Sequence, residues 1–223
     1  MLSEFFVYLR LGVEHILDLR GIDHILFVIA LTLPYTVREW RAVVVQVTAF
    51  TVGHSLTLAA ATLDAVRVST PWIEFLIPVT IAATAAVQLR SALAVRPGRG
   101  SPASPPSSGT VDDPGEPGGH RPLGPGIPST ATWLLAFVFG LIHGLGFSNF
   151  LRAVLGGGSS IVWPLFAFNV GLEAGQLVVV ALMLAVTTGL IGGRALSRTT
   201  YVGILSTAIG MTALYLSVIR LPL

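Results

Sequence analysis

Apolar residues run through this chain in long blocks separated by short polar interruptions, and the block lengths predict its elements. A helix needs roughly 20 mostly apolar residues to cross the hydrocarbon core of a bilayer. Residues 42–63 hold no formally charged side chain and only His54 among the imidazoles. Residues 131–151 are likewise uncharged around His143, residues 161–193 carry one charge at Glu173, and residues 199–219 carry none. Trp72 to Val95 forms a fifth block, with Glu74 near one end and Arg90 near the other. A sixth must use Ile22 to Leu33, which is too short alone; it is expected to begin near Gly12 and bend at Gly21. Because Glu14, Asp18 and Arg20 would lie in or beside that span, residues 3–19 read equally well as an amphipathic helix on the membrane surface. The expected fold class is all-α, a polytopic membrane protein of about six transmembrane helices.

The pattern changes between Arg96 and Thr130. Of these 35 residues nine are Pro, eight Gly and five Ser, so the stretch cannot bury a core and reads as a disordered linker. It divides the chain into a first bundle half over residues 1–95 and a second over residues 131–223, three spans in each. His120 falls inside this linker and is expected to be an incidental solvated residue.

Composition strengthens the membrane reading. The 223 residues are 53% hydrophobic and 11% charged, with a mean hydropathy of +0.79. A soluble domain carries about 25% charged residues, and water-soluble packing would not hide this much apolar surface. There is no cysteine, so neither a disulfide framework nor a thiolate metal site is available. All thirteen basic residues are Arg, scattered singly between apolar blocks, so no clustered basic face exists and nucleic acid is not an expected partner. Glu4, Arg10, Glu14 and Asp18 interrupt the first block, so a cleavable signal peptide is not expected there. With six spans, one side receives eight arginines and the other Arg10, Arg20, Arg67, Arg152 and Arg220; that bias puts the linker in the cytoplasm and both termini outside a cell membrane.

Ionisable groups inside spans are expensive, about 2.5–3.5 kcal/mol each on insertion scales, and usually functional. Here they are Asp23, His24, His54, His143 and Glu173, with His15 close by. Counted from the expected outer helix ends, His54, His143 and Glu173 lie roughly 14–17 Å deep, and His24 joins them if the first span begins near Glu14. Asn169 and Gln176 extend the stripe of Glu173 by one turn on either side. Four helices would then deliver nitrogen and oxygen donors to one level. Neutral imidazole and carboxylate suit a borderline divalent ion such as Ni, Co, Zn or Mn, with Cu(II) also open and Cu(I) disfavoured without cysteine. Hydrogen bonding between helices, or a proton relay, would use the same residue types.

Several runs carry a family resemblance. Glu14-His15-Ile16-Leu17, Gly21-Ile22-Asp23-His24-Ile25-Leu26-Phe27 and Phe50-Thr51-Val52-Gly53-His54-Ser55-Leu56 resemble the signature of the HupE/UreJ membrane proteins. Phe139-Gly140-Leu141-Ile142-His143-Gly144-Leu145-Gly146 and Phe168-Asn169-Val170-Gly171-Leu172-Glu173 match in the same way, and the similarity spans most of the chain outside the linker. It looks closest to the branch found apart from hydrogenase and urease operons. The resemblance implies a secondary permease for nickel or cobalt, working without ATP, with metal-associated positions at His15, Asp23, His24, His54, His143 and Glu173. Pro78 and Gln88 in the third span depart from the pattern, which puts the ion in doubt. The expected function is therefore a divalent metal ion permease and not an enzyme. An intramembrane zinc hydrolase using Asp23 or Glu173 as base is the rival, weakened by the absence of an HExxH motif, and a non-transporting metal chaperone or assembly partner is a third class. Lipid and the metal ion are the expected partners, and a homo-oligomer stays open.

Overall fold

A computed structural model describes residues 2–94, 130–155, 161–192 and 196–222. The linker expected between Arg96 and Thr130, with His120, lies outside the described residues except for Thr130 itself, which begins a helix. Among the described residues all regular structure is helical. The eight helices are α1 (Leu2–Leu17), α2 (Asp23–Thr32), α3 (Trp40–Thr62), α4 (Thr70–Ala94), α5 (Thr130–Gly146), α6 (Ser148–Leu155), α7 (Val162–Gly192) and α8 (Arg198–Ile219). Four of them, α3, α4, α7 and α8, are long and apolar enough to cross a membrane, while α2 and α5 are shorter apolar helices. Outward faces such as Val178, Leu182 and Val186 on α7 and Met211, Leu214 and Val218 on α8 are exposed and apolar, as lipid requires and water would penalise.

The blocks expected at 42–63, 72–95, 161–193 and 199–219 thus appear as α3, α4, α7 and α8 within a few residues. Two others differ. The first span was expected to run on through a bend at Gly21, but α1 stops at Leu17, a 3₁₀ turn covers Leu19–Gly21, and α2 is a separate ten-residue helix of about 15 Å. Nor is α1 a helix lying free on the surface. It turns Arg10 and Glu14 outward as an ion pair while burying Gly12 and Ile16 against α7. The fourth block breaks at Phe147, where the Ser148 hydroxyl donates to the Leu145 carbonyl at 2.8 Å and the short α6 takes over. His143 therefore lies three residues from the end of its helix, not nine residues below the end of an unbroken span.

Packing is dominated by three helix pairs, α3 with α5, α1 with α7 and α4 with α8, and α2 is wedged against α4 and α7. Glycine makes the first two seams possible. A Cβ on Gly140 would strike the Phe50 carbonyl and one on Gly144 the His54 carbonyl; on the other seam Gly12 meets Phe168 and Gly171 meets Leu9 in the same way. Small residues let helix backbones approach closely, which in lipid replaces the hydrophobic drive between helices. At one end of the bundle the Arg198 guanidinium donates to the Pro34 carbonyl and to Glu39 at 3.2 Å, and the Val37 amide donates to Thr188 at 3.0 Å. At the other end Arg220 donates to Asp23 at 2.8 Å. The two ends of α8 therefore hold the two ends of the short α2.

Gly140→Ala is expected to destabilise the fold by about 1–3 kcal/mol, because the methyl group lands on backbone that cannot yield. Gly203→Ala, where nothing lies within 4 Å, is expected to stay within about 0.5 kcal/mol of wild type. Thermal unfolding of the two variants in one detergent checks this.

Candidate metal centre

Four helices each place one imidazole in the same pocket: His15 near the end of α1, His24 in the first turn of α2, His54 two turns before the end of α3, and His143 in the last turn of α5. His24 stands at the centre. Its ring centroid lies 4.5 Å from that of His15, 5.3 Å from His143 and 6.0 Å from His54, and His15 lies 6.0 Å from His54. His54 and His143 are fully buried and His24 nearly so, whereas His15 is half-buried. Aromatic rings close the pocket. Phe27 and Phe50 each stand 5.1 Å from His143, Phe147 stands 4.0 Å from His15, and Phe147 stacks on Phe168 at 5.0 Å.

The nitrogens carry the chemical information. His15 Nε2, His24 Nε2, both ring nitrogens of His54 and His143 Nδ1 are buried without a hydrogen-bond partner among the described residues. The remaining nitrogen of His143, Nε2, is engaged by the Thr80 hydroxyl at 2.9 Å. Buried polar atoms are satisfied in the great majority of cases, and each orphan costs about 1–3 kcal/mol. Five such atoms stand together on these four imidazoles. Two imidazoles on one divalent ion, with bonds of about 2.0–2.1 Å, put their centroids about 4.5–5.5 Å apart; the spacings of His24 to His15 and to His143 fall in that range, and those of His54 to His15 and His24, at 6.0 Å, lie beyond it. The donor atoms have not converged, however. Among the described residues no three His, Asp or Glu side chains form a group able to hold a metal ion as they stand.

The two carboxylates sit beside this pocket on their own partners. Asp23 Oδ2 accepts from Arg220, while its Oδ1 is buried and unpaired. Glu173 Oε1 accepts from the Thr48 hydroxyl at 2.7 Å, and its Oε2 is buried and unpaired. Thr48 precedes His54 by six residues, about 9 Å along α3. The polar stripe expected on α7 is present: Gln176 is buried and accepts from the Thr51 hydroxyl at 2.8 Å, and Asn169 Oδ1 is buried without a partner. His24, His54 and His143 stand together with His15, and Glu173 is bonded to Thr48 on α3 while Gly175, two residues on, meets Val13 and Ile16 beside His15.

The family model described as HupE / UreJ protein matches residues 1–97 and 122–220. The chain belongs to the HupE/UreJ family. No curated protein and no solved structure matches it. Two features of this HupE/UreJ chain escaped its sequence. Thr80 was one of many span threonines, and only the packing of α4 on α5 shows that it orients His143. The hydroxyl donates its one proton to the Ile77 carbonyl at 2.7 Å and so accepts from His143 Nε2; Ile77 adjoins Pro78, whose ring leaves a gap in the hydrogen bonding of α4. Arg220 was read only as an outer-surface charge, because a partner 197 residues away has no signature in a single sequence.

His54→Leu is expected to leave the metal-free protein as stable as wild type or about 1 kcal/mol more stable, since it removes two unpaired buried nitrogens at similar volume. A melting temperature lowered by several degrees would instead mean that this imidazole serves packing.

Proposed function

We propose that this HupE/UreJ protein is a permease for a divalent metal ion of the nickel or cobalt type, and that His15, His24, His54 and His143 form its transit site. The observation that carries the reading is the meeting of four imidazoles from four helices, with five buried unpaired nitrogens among them. Imidazole without thiolate suits nickel, cobalt or zinc. The family's association with nickel and cobalt transport favours the first two.

The helix geometry supports transport over storage. In this reading α1 and α2 together make one discontinuous crossing, α5 with α6 makes another, and α3, α4, α7 and α8 supply the other four. Broken helices whose ends meet at a binding site are a recurrent device of secondary transporters, where irregular backbone is tolerated because it lines a cavity. His15 and His24 stand on either side of such a break. The arginine bias favours a cytoplasmic linker with both termini outside the cell membrane. Asp23 and Glu173 each keep one buried unpaired oxygen beside the one held by Arg220 or Thr48, so either could add a donor to the imidazoles. Hydrolysis is the weaker reading, because the chain has no HExxH motif to hold a base beside a metal-bound water.

Proteoliposomes containing the purified protein are expected to accumulate Ni²⁺ or Co²⁺ down an imposed gradient. His54→Ala should cut the initial rate at least about tenfold while the variant still folds, as loss of a ligand does. Tight stoichiometric metal with no flux of any divalent ion would sink the permease and favour a chaperone.

A further inference from the structure

We infer that Arg220 is an electrostatic latch on the site: its guanidinium occupies Asp23 in the metal-free protein and must withdraw before Asp23 can share a cation with His24. The inference rests on the transit-site reading above. Asp23 opens α2 directly before the central imidazole, and it is nearly buried. One of its oxygens, Oδ2, takes a charge-assisted hydrogen bond from Arg220 Nη1 at 2.8 Å, while the other, Oδ1, is buried and unpaired. The carboxylate is therefore half-used. A divalent cation on Oδ1 would stand about 5–6 Å from the guanidinium on Oδ2, close enough for strong repulsion at low effective dielectric. Cation and arginine compete for one charge.

The arginine has somewhere to go. Its side chain is 26% exposed against 10% for Asp23, so withdrawal hydrates the guanidinium instead of burying it unpaired. It is the C-cap of α8, and a cation at a helix C-terminus is favoured by the exposed carbonyls there even without its carboxylate. The contact is also mechanical. With Arg198 holding Pro34 and Glu39 at the far end, Arg220 is the outer of two ties between α8 and the ends of α2. Releasing it frees the N-terminal turn of α2, which carries His24, while the inner tie stays closed. Arg220 is in this sense a positioning residue, coupling cation arrival to movement of one half-helix.

The test is Ni²⁺ binding by titration calorimetry on the detergent-purified full chain, together with hydrogen exchange. Arg220→Gln should bind Ni²⁺ at least about tenfold more tightly than wild type, because the competing charge is gone. Arg220→Lys should restore affinity to near the wild-type value. In wild-type protein, Ni²⁺ should speed amide exchange at the end of α8, and in Arg220→Gln that exchange should be fast already without metal. A merely structural ion pair predicts the reverse for the glutamine variant, weaker binding with a looser fold. Equal or weaker binding by a folded Arg220→Gln would overturn the latch. Should that variant not fold, wild-type exchange at α8 unchanged by saturating Ni²⁺ overturns it equally. No binding of Ni²⁺ or Co²⁺ by wild type would overturn the transit site itself, an outcome distinct from either.

Discussion

The helix backbones that carry His15, His54 and His143 approach their neighbours more closely than ordinary side chains permit, on the α1–α7 and α3–α5 seams. On the α3–α5 seam the contact is made at His54 itself. Gly140 and Gly144, one turn apart on α5, lie over the amide and the carbonyl of that residue, and His143 stands beside Gly144. Two of the four rings are thereby fixed by the backbone. The α1–α7 seam works similarly: Gly12 and Gly171 let α1 sink onto α7, which carries His15 against Phe147 and Phe168. Steric access between backbones comes before the chemistry here. A larger residue at any of these glycines would move a nitrogen donor, and the pocket geometry would go with it.

The fourth ring arrives by other means. α2 is too short to cross a membrane, yet it is buried on nearly all sides, with Phe27, Val28, Leu31 and Thr32 facing protein. A helix apolar all round is stable only when surrounded. Its position depends on what grips its ends, and both grips come from α8. That arrangement explains why a charge such as Asp23 can sit in the bundle at all. Arg220 offsets its desolvation and at the same time fixes the start of α2, hence the placement of His24 between the other rings.

Much of this was legible in the residues, and the failures have physical causes. Long apolar blocks with at most two charges each forced α3, α4, α7 and α8, because an isolated span must satisfy its backbone within the helix. The histidines stood out because an ionisable group in such a block demands a reason. The interruption at Leu19–Gly21 was expected as a bend at Gly21, though not as a full stop of α1, and the break at Phe147 was harder to see. Apolar runs report burial, not continuity, and neither break contains a proline. The docking of α1 was hidden for a related reason: a helix with charges on one face and glycine on the other looks the same whether it lies on lipid or on another helix. Glu173 was placed by counting residues from the helix start, which fixes height along α7 but not the level on α3 that its side chain meets. Thr48 supplies that level.

The division of labour between imidazoles and carboxylates bears on how such a site would work. A cation held by several converged imidazoles and two carboxylates together would bind tightly and leave slowly, whereas conduction needs binding favourable enough to enter and weak enough to leave. In this chain the imidazoles form the pocket, while Asp23 and Glu173 are each held by a partner with an interest of its own, Arg220 on one side and Thr48 on the other. Each carboxylate nevertheless keeps one buried, unpaired oxygen beside the one its partner holds. A cation exchanging one carboxylate for the other around a constant core of neutral rings would meet a sequence of comparable sites instead of one deep well, and that shallow profile is what passage requires.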